Sequence, residues 1–108
     1  MPTKDVAVFS FADKITVENA DILKQRLEPV LADKQATTLI FDVGRVRLCD
    51  SCGLRLLIHC QRDATARDKK LILYRPDALF TELLDNTKLS HVFTIVDKLD
   101  PALEQAIQ

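Results

Sequence analysis

Glycine is scarce in this chain: Gly44 and Gly53 are its only two in 108 residues. That scarcity excludes the G-x-G-x-x-G and Walker A loops, whose phosphate cradles need glycines in close succession. No serine stands in a G-x-S-x-G setting, which removes the usual hydrolase elbow. Cysteine is also sparse, and its three copies include Cys49 and Cys52 only three positions apart. An odd, closely spaced set makes a poor disulfide framework and fits a reducing compartment. With two histidines and no second pair at ligand spacing, a four-ligand zinc site is not expected either, so no metal and no cofactor is assigned.

Long apolar runs are missing as well. Stretches such as "LRLLIHC" fall far short of the roughly 20 residues that span a bilayer, and "MPTKDVAV" lacks the apolar core of a signal peptide. The expectation is a cytoplasmic protein without membrane insertion. Nor is there a surplus of positive charge: 15 Lys and Arg stand against 16 Asp and Glu. Nucleic acid, whose binding needs basic charge gathered on one face, is not the expected partner.

What is present is a globular composition, 47% apolar and 29% charged, of a size to form one domain over residues 1–108. Val6 to Phe11 reads as a β-strand, and Ala20, Leu23, Leu27 and Val30 recur at helical spacing behind Thr16 as N-cap. Pro29 should bend or end that helix near Gln25 to Pro29. Thr37 to Val43 is almost continuously apolar, the pattern of a central strand covered on both faces. A helix follows from Gly53 to about Arg67, with Gly53, Leu57, Cys60 and Ala64 on one side, Arg55, His59 and Arg62 on the other, and Leu54 and Ile58 between. "KLILY" is the next strand, Pro76 and Asp77 open a helix through "ALFTELLDN", Val92 to Val96 is a fourth strand, and "DPALEQAIQ" closes as a helix. Strands alternating with helices imply crossovers and a largely parallel sheet.

The stretch "LCDSCGL", Leu48 to Leu54, carries two overlapping messages. As Cys49-Asp50-Ser51-Cys52 it is a C-x-x-C at a helix start, the setting of a dithiol redox centre. Against that reading, the Asp50 carboxylate should raise a neighbouring thiol pKa. A nucleophile built from Cys52 and His59 is excluded by the roughly 10 Å that seven helical residues put between them. As Asp50-Ser51-x-Gly53-Leu54 the same stretch is a hydroxyl-bearing loop feeding a helix. There Ser51 is either an N-cap or an acceptor for a phosphate that would meet the positive end of the helix dipole, and local chemistry favours the cap.

The order "TTLIFDVGRVRLCDSCGLRLLIHC" resembles the signature of STAS domains, in particular bacterial anti-sigma factor antagonists: an apolar strand closed by Asp42, a link, then the loop Asp50, Ser51, Gly53 and Leu54 before an amphipathic helix. "ITVENADILKQRL" is similar to the family's first helix and "ELLDNTKLSHVFTIVDKLDPAL" to its end, so the likeness runs from about Val6 to Ala106. It implies a single STAS-like α/β domain with a mostly parallel or mixed sheet of four to five strands and about four helices packed mainly on one side. It also implies that Ser51 is phosphorylated, that the protein is not an enzyme, and that a kinase-type anti-sigma factor is bound until phosphorylation releases it, with a phosphatase resetting the switch. The expected partner surface comprises Asp50, Cys52, Gly53, Leu54, Arg55, Ile58, His59 and Arg62, with Leu54 and Ile58 as apolar groups beside the charged stripe; either could instead be core, and for Leu54 the core is the favoured alternative. Three departures stand out: Cys52 replaces the usual serine or threonine, "SFADKIT" lacks the glycine found before the first helix, and only "MPTKD" precedes Val6 where an extra strand is usual. A STAS scaffold subunit of a transporter or larger signalling complex, without phosphorylation, is the alternative.

Overall fold

Along residues 38–43 the side chains alternate between two environments. Leu39, Phe41 and Val43 join one large core cluster, while Ile40, also fully buried, faces the other way and pairs in register with Ile72. A strand covered on both faces produces this pattern, as its continuous apolar character requires. The computed structural model describes residues 5–105. Its elements are β1 (Val6–Ile15), α1 (Ala20–Ala32), β2 (Thr38–Cys49), α2 (Ser51–Ala66), β3 (Lys70–Tyr74), α3 (Ala78–Asn86), β4 (Thr94–Val96) and α4 (Pro101–Gln105).

The four strands lie in chain order β1-β2-β3-β4, and every neighbouring pair is parallel. Crossovers of a single hand between strands laid down in sequence deliver their helices to the same face of the sheet. Accordingly Leu23, Leu27 and Leu31 of α1, Leu57, Cys60 and Ala64 of α2, and Phe80 and Leu84 of α3 share one cluster with Leu39, Phe41, Leu71 and Leu73. This is the one-sided α/β arrangement that the sequence and its resemblance led us to expect. The reading of "MPTKD" and of the last residues of the closing helix falls largely on residues 1–4 and 106–108, outside the described residues.

Several boundaries differ from expectation, each for a tertiary reason. β2 does not stop near Val43 and Asp42 does not close it; the strand runs to Cys49. Beyond Asp42 it has lost β3 but keeps β1, which itself extends past Phe11 to pair Ala12 with Arg45, Lys14 with Leu48 and Ile15 with Cys49. At about 3.3 Å per residue, that extension carries the chain roughly 20 Å past the end of β3. Val46 anchors it by complete burial between charged neighbours. Helix α1 likewise ignores Pro29 and ends at Ala32. The ring is exposed, and buried Leu27 and Leu31 on either side hold the helix through the one backbone bond that proline deletes. Thr16 caps a preceding turn instead of the helix: its Oγ accepts from Glu18 N, while Asn19 Oδ1 accepts from Thr16 N at 2.9 Å.

The two glycines serve space, not backbone freedom, since neither has a positive φ. Left-handed positions fall instead to Asp13, Asp68, Arg75 and Lys88, and Asp13, at φ 58°, sits in the stretch where a glycine was missing. Aspartate is among the residues that tolerate this region. Gly44 lies under the side chain of Arg75, which reaches across to Asp42: Nε donates to Oδ1 at 2.9 Å and Nη2 to Oδ2 at 3.1 Å. At Gly53 the approach is closer, because a Cβ there would stand 1.9 Å from the Ile15 carbonyl oxygen. The start of α2 is thus pressed directly against the end of β1. Gly53→Ala should destabilise the domain by about 2–3 kcal/mol, the range of severe overpacking, and lower Tm by roughly 10 °C or more. Thermal unfolding of the variant measures this, and an unchanged Tm would show that the contact is not close.

Candidate functional site

A single residue, Asp50, separates the end of β2 from the start of α2, and its hydrogen bonds organise everything around it. Its backbone is extended, as an N-cap requires, and Oδ1 accepts from Gly53 N at 2.9 Å. The second carboxylate oxygen, Oδ2, accepts from Val17 N at 3.0 Å, and Asp50 N donates to Ile15 O at 3.3 Å. One side chain therefore ties the helix start to the turn between β1 and α1, 33 residues earlier in the chain. The N–H donors of Val17 and then Gly53 hold the Asp50 carboxyl below the ordinary carboxylate range, because they stabilise its ionised form.

Since Asp50 occupies the capping position, Ser51 does not. This corrects the local preference for Ser51 as N-cap. It is the first residue of α2, exposed to solvent, and its hydroxyl makes no hydrogen bond among the described residues. A nucleophilic oxygen is thereby presented at the positive end of a 16-residue helix without a local partner to occupy it.

Two of the three thiols, Cys49 and Cys60, behave oppositely to those of a dithiol centre. Burial, with a further push from the adjacent Asp50 carboxylate, raises Cys49 to about 11, and its Sγ points to the Asp50 carbonyl at 3.7 Å. Cys60 lies in the core and is raised to about 12, chiefly by burial and then by Asp63. All three cysteines are free. A helix start can lower a thiol pKa, but here desolvation dominates and Cys49 is held as the inert thiol. Among the described residues no three His, Cys, Asp or Glu side chains gather as a metal-binding group.

The remaining expected site residues separate into two groups. Arg55, His59 and Arg62 are exposed along α2, with Cys52 and Ile58 half-buried beside them. Gly53 and Leu54 are buried, Leu54 to 7% exposure, so they seat the loop on the core: Leu54 takes the core alternative favoured for it, and Gly53 is corrected from the contact surface. The structure adds Val17. It is 68% exposed and sits beside the loop through its bond to Asp50, and nothing in the local sequence around it signals that position.

Asp50→Asn should loosen the loop although the side chains are isosteric. Two N–H donors face the two oxygens, and an amide would turn its own NH2 group against one of them. Because the folded-state pKa of Asp50 is depressed, its contribution is fully present above the ordinary carboxylate pKa and is lost as pH falls through the lower folded value. Denaturation curves from neutral pH to about pH 2 should therefore show the wild type losing stability over that acid window, with Asp50→Asn less stable at neutrality and flatter below it. Superimposable curves for the two proteins would refute the clamp.

The model of the STAS domain family matches residues 2–106. Among solved structures, a Thermotoga maritima protein assigned as an anti-sigma factor antagonist is similar at a TM-score of 0.82 and 19% identity, covering 96% of this chain and 89% of its own. The Bacillus anti-sigma factor antagonist SpoIIAA, in its unphosphorylated form, is similar at a TM-score of 0.74 and 19% identity, covering 99% and 89%. A sulfate transporter family protein from Wolinella succinogenes reaches a TM-score of 0.76 at 19% identity, covering 95% and 85%. The similarity to these structures is one of fold, and with the family model matched over nearly its whole length, the chain belongs to the STAS domain family.

Proposed function

We propose that this protein is an anti-sigma factor antagonist that acts by partner switching, with Ser51 as its phosphorylated residue. The observation that carries the reading is the free, exposed Ser51 hydroxyl at the first position of α2, left unengaged because Asp50 takes the cap. In the unphosphorylated state the loop and the exposed side of α2 bind an anti-sigma factor of the serine kinase type, and its sigma factor is released to direct transcription. The chain does no chemistry itself; the kinase transfers the phosphoryl group and a phosphatase removes it. SpoIIAA, which shares the fold, has been solved in unphosphorylated and phosphorylated forms, and this supports the same chemistry here.

Phosphoserine brings about −1.5 to −2 charges at neutral pH, and at Ser51 they would stand next to the ionised Asp50 in a loop lying against another protein. Repulsion and desolvation weaken the complex. The fold is spared, because the helix N-terminus accommodates the phosphate. The scaffold reading, in which the loop docks within a transporter or signalling complex without modification, draws on the fold likeness to the Wolinella succinogenes protein.

The test is intact-mass and peptide mapping after incubation with the partner kinase and ATP, followed by binding measurements. Phosphate is expected on Ser51 alone, with affinity lowered at least about tenfold, Ser51→Ala binding constitutively and Ser51→Asp binding poorly. Phosphate on another residue, or full affinity after modification of Ser51, would sink the switch in favour of the scaffold. Replacing Cys49 and Cys52 together by serine should leave partner affinity within about twofold, since the raised Cys49 pKa marks a thiol with no redox work at neutral pH. A specific loss of binding in the folded double variant would return the thiols to the site.

A further inference from the structure

We infer that the cleft between the start of α1 and the first turns of α2 is the docking site for an acidic, apolar-anchored segment of the partner protein. The cleft has a volume of about 360 Å³. Val17, Leu56 and the half-buried Cys52 contribute apolar surface to it, and Lys24, Arg55 and His59 contribute its basic groups. Asp21 is the one carboxylate in the lining. The positive charge is unspent: Lys24, Arg55 and Arg62 enter no ion pair among the described residues. Arg55, His59 and Arg62 follow one another at i, i+4 and i+7, so they form a continuous stripe on one helix face leading away from Ser51. A chain with net charge −1 thus places three unpaired cationic groups on the surface that carries its candidate phosphorylation site.

Charge complementarity selects the occupant. Carboxylates on a partner segment meet Lys24, Arg55 and Arg62, while an apolar side chain covers Val17 and Leu56, giving an interface with an apolar centre and a charged rim. This inference rests on the partner-switching reading and deepens it, because Arg55 lies one helical turn after Ser51. A phosphate on Ser51 is a dianion at i of an i, i+4 pair whose other member is a guanidinium. It captures Arg55 within the chain, so phosphorylation supplies in cis the anion that the partner otherwise supplies in trans.

The experiment titrates the full-length chain, observed by amide NMR, with a 12-residue helical peptide carrying glutamates beside leucines at i and i+4. Controls replace its glutamates with lysines or its leucines with serines. The acidic peptide should shift the amides of Val17, Arg55 and His59, bind at least about tenfold more tightly than either control, and weaken as salt is raised. Lys24 and Arg55 are exposed, so Lys24→Glu combined with Arg55→Glu preserves the fold and should reverse the preference toward the lysine peptide. Phosphorylated Ser51 should weaken the acidic peptide by a similar factor. Equal binding of acidic and basic peptides, shifts confined to another face, or binding to phosphatidylglycerol vesicles without peptide binding would each overturn the inference. Peptide mapping of Ser51 reads the switch separately: a phosphorylated Ser51 on a chain without acidic-peptide preference overturns the cleft and leaves the switch in place.

Discussion

The Asp50 carboxylate is the constraint on which the site depends. Its two oxygens accept from Val17 N and Gly53 N, and its own N–H meets the carbonyl of Ile15, so the end of β1 with its following turn and the start of α2, far apart in sequence, converge on one residue. A neutral cap could satisfy the helix start but not the second donor. Because the carboxylate fills the capping role, the neighbouring Ser51 hydroxyl is released from it and left exposed at the start of α2. The same arrangement explains the glycine at 53, since any Cβ would force α2 away from the Ile15 carbonyl to which Asp50 is also bonded.

A second clamp, farther down the sheet, sets where that junction lies. Asp42 is nearly buried and accepts both guanidinium bonds from Arg75 as well as Gly44 N at 3.0 Å, at the level where β3 ends. Half-exposure of Arg75 keeps the pair from acting as a fully desolvated ion pair, so its value is mainly geometric: it ties the end of β3 to the middle of β2. From that point β2 continues with β1 alone and carries the Asp50–Ser51 loop beyond the end of β3.

Charge is distributed with the same economy of means. The overall balance of 15 basic and 16 acidic residues hides a local asymmetry, because the cleft lining sets Lys24 and Arg55 against the single carboxylate of Asp21. Composition excluded a broad nucleic-acid surface, yet it was silent on this smaller patch. Net charge sums over the molecule, whereas recognition depends on which side chains the fold leaves unpaired.

By itself the sequence determined the alternation of strands and helices, the largely parallel sheet and the position of the loop. Those features follow from local periodicity: apolar runs with β-branched residues at Thr37 to Val43, helical spacing through Leu57, Cys60 and Ala64, and Asp77 before "ALF", where Asp77 does cap its helix through Phe80 N at 2.8 Å. The motif resemblance located Ser51. Only the tertiary structure decided that β2 outlasts Asp42, that α1 survives Pro29 and that Val17 borders the site. Each of these turns on a contact between residues distant in sequence, such as Lys14 with Leu48 or Val17 with Asp50, whose energy no local pattern contains. The choice between Ser51 as cap and Ser51 as free hydroxyl was of the same kind: both neighbours can cap a helix, and the second donor from Val17 gave the position to Asp50.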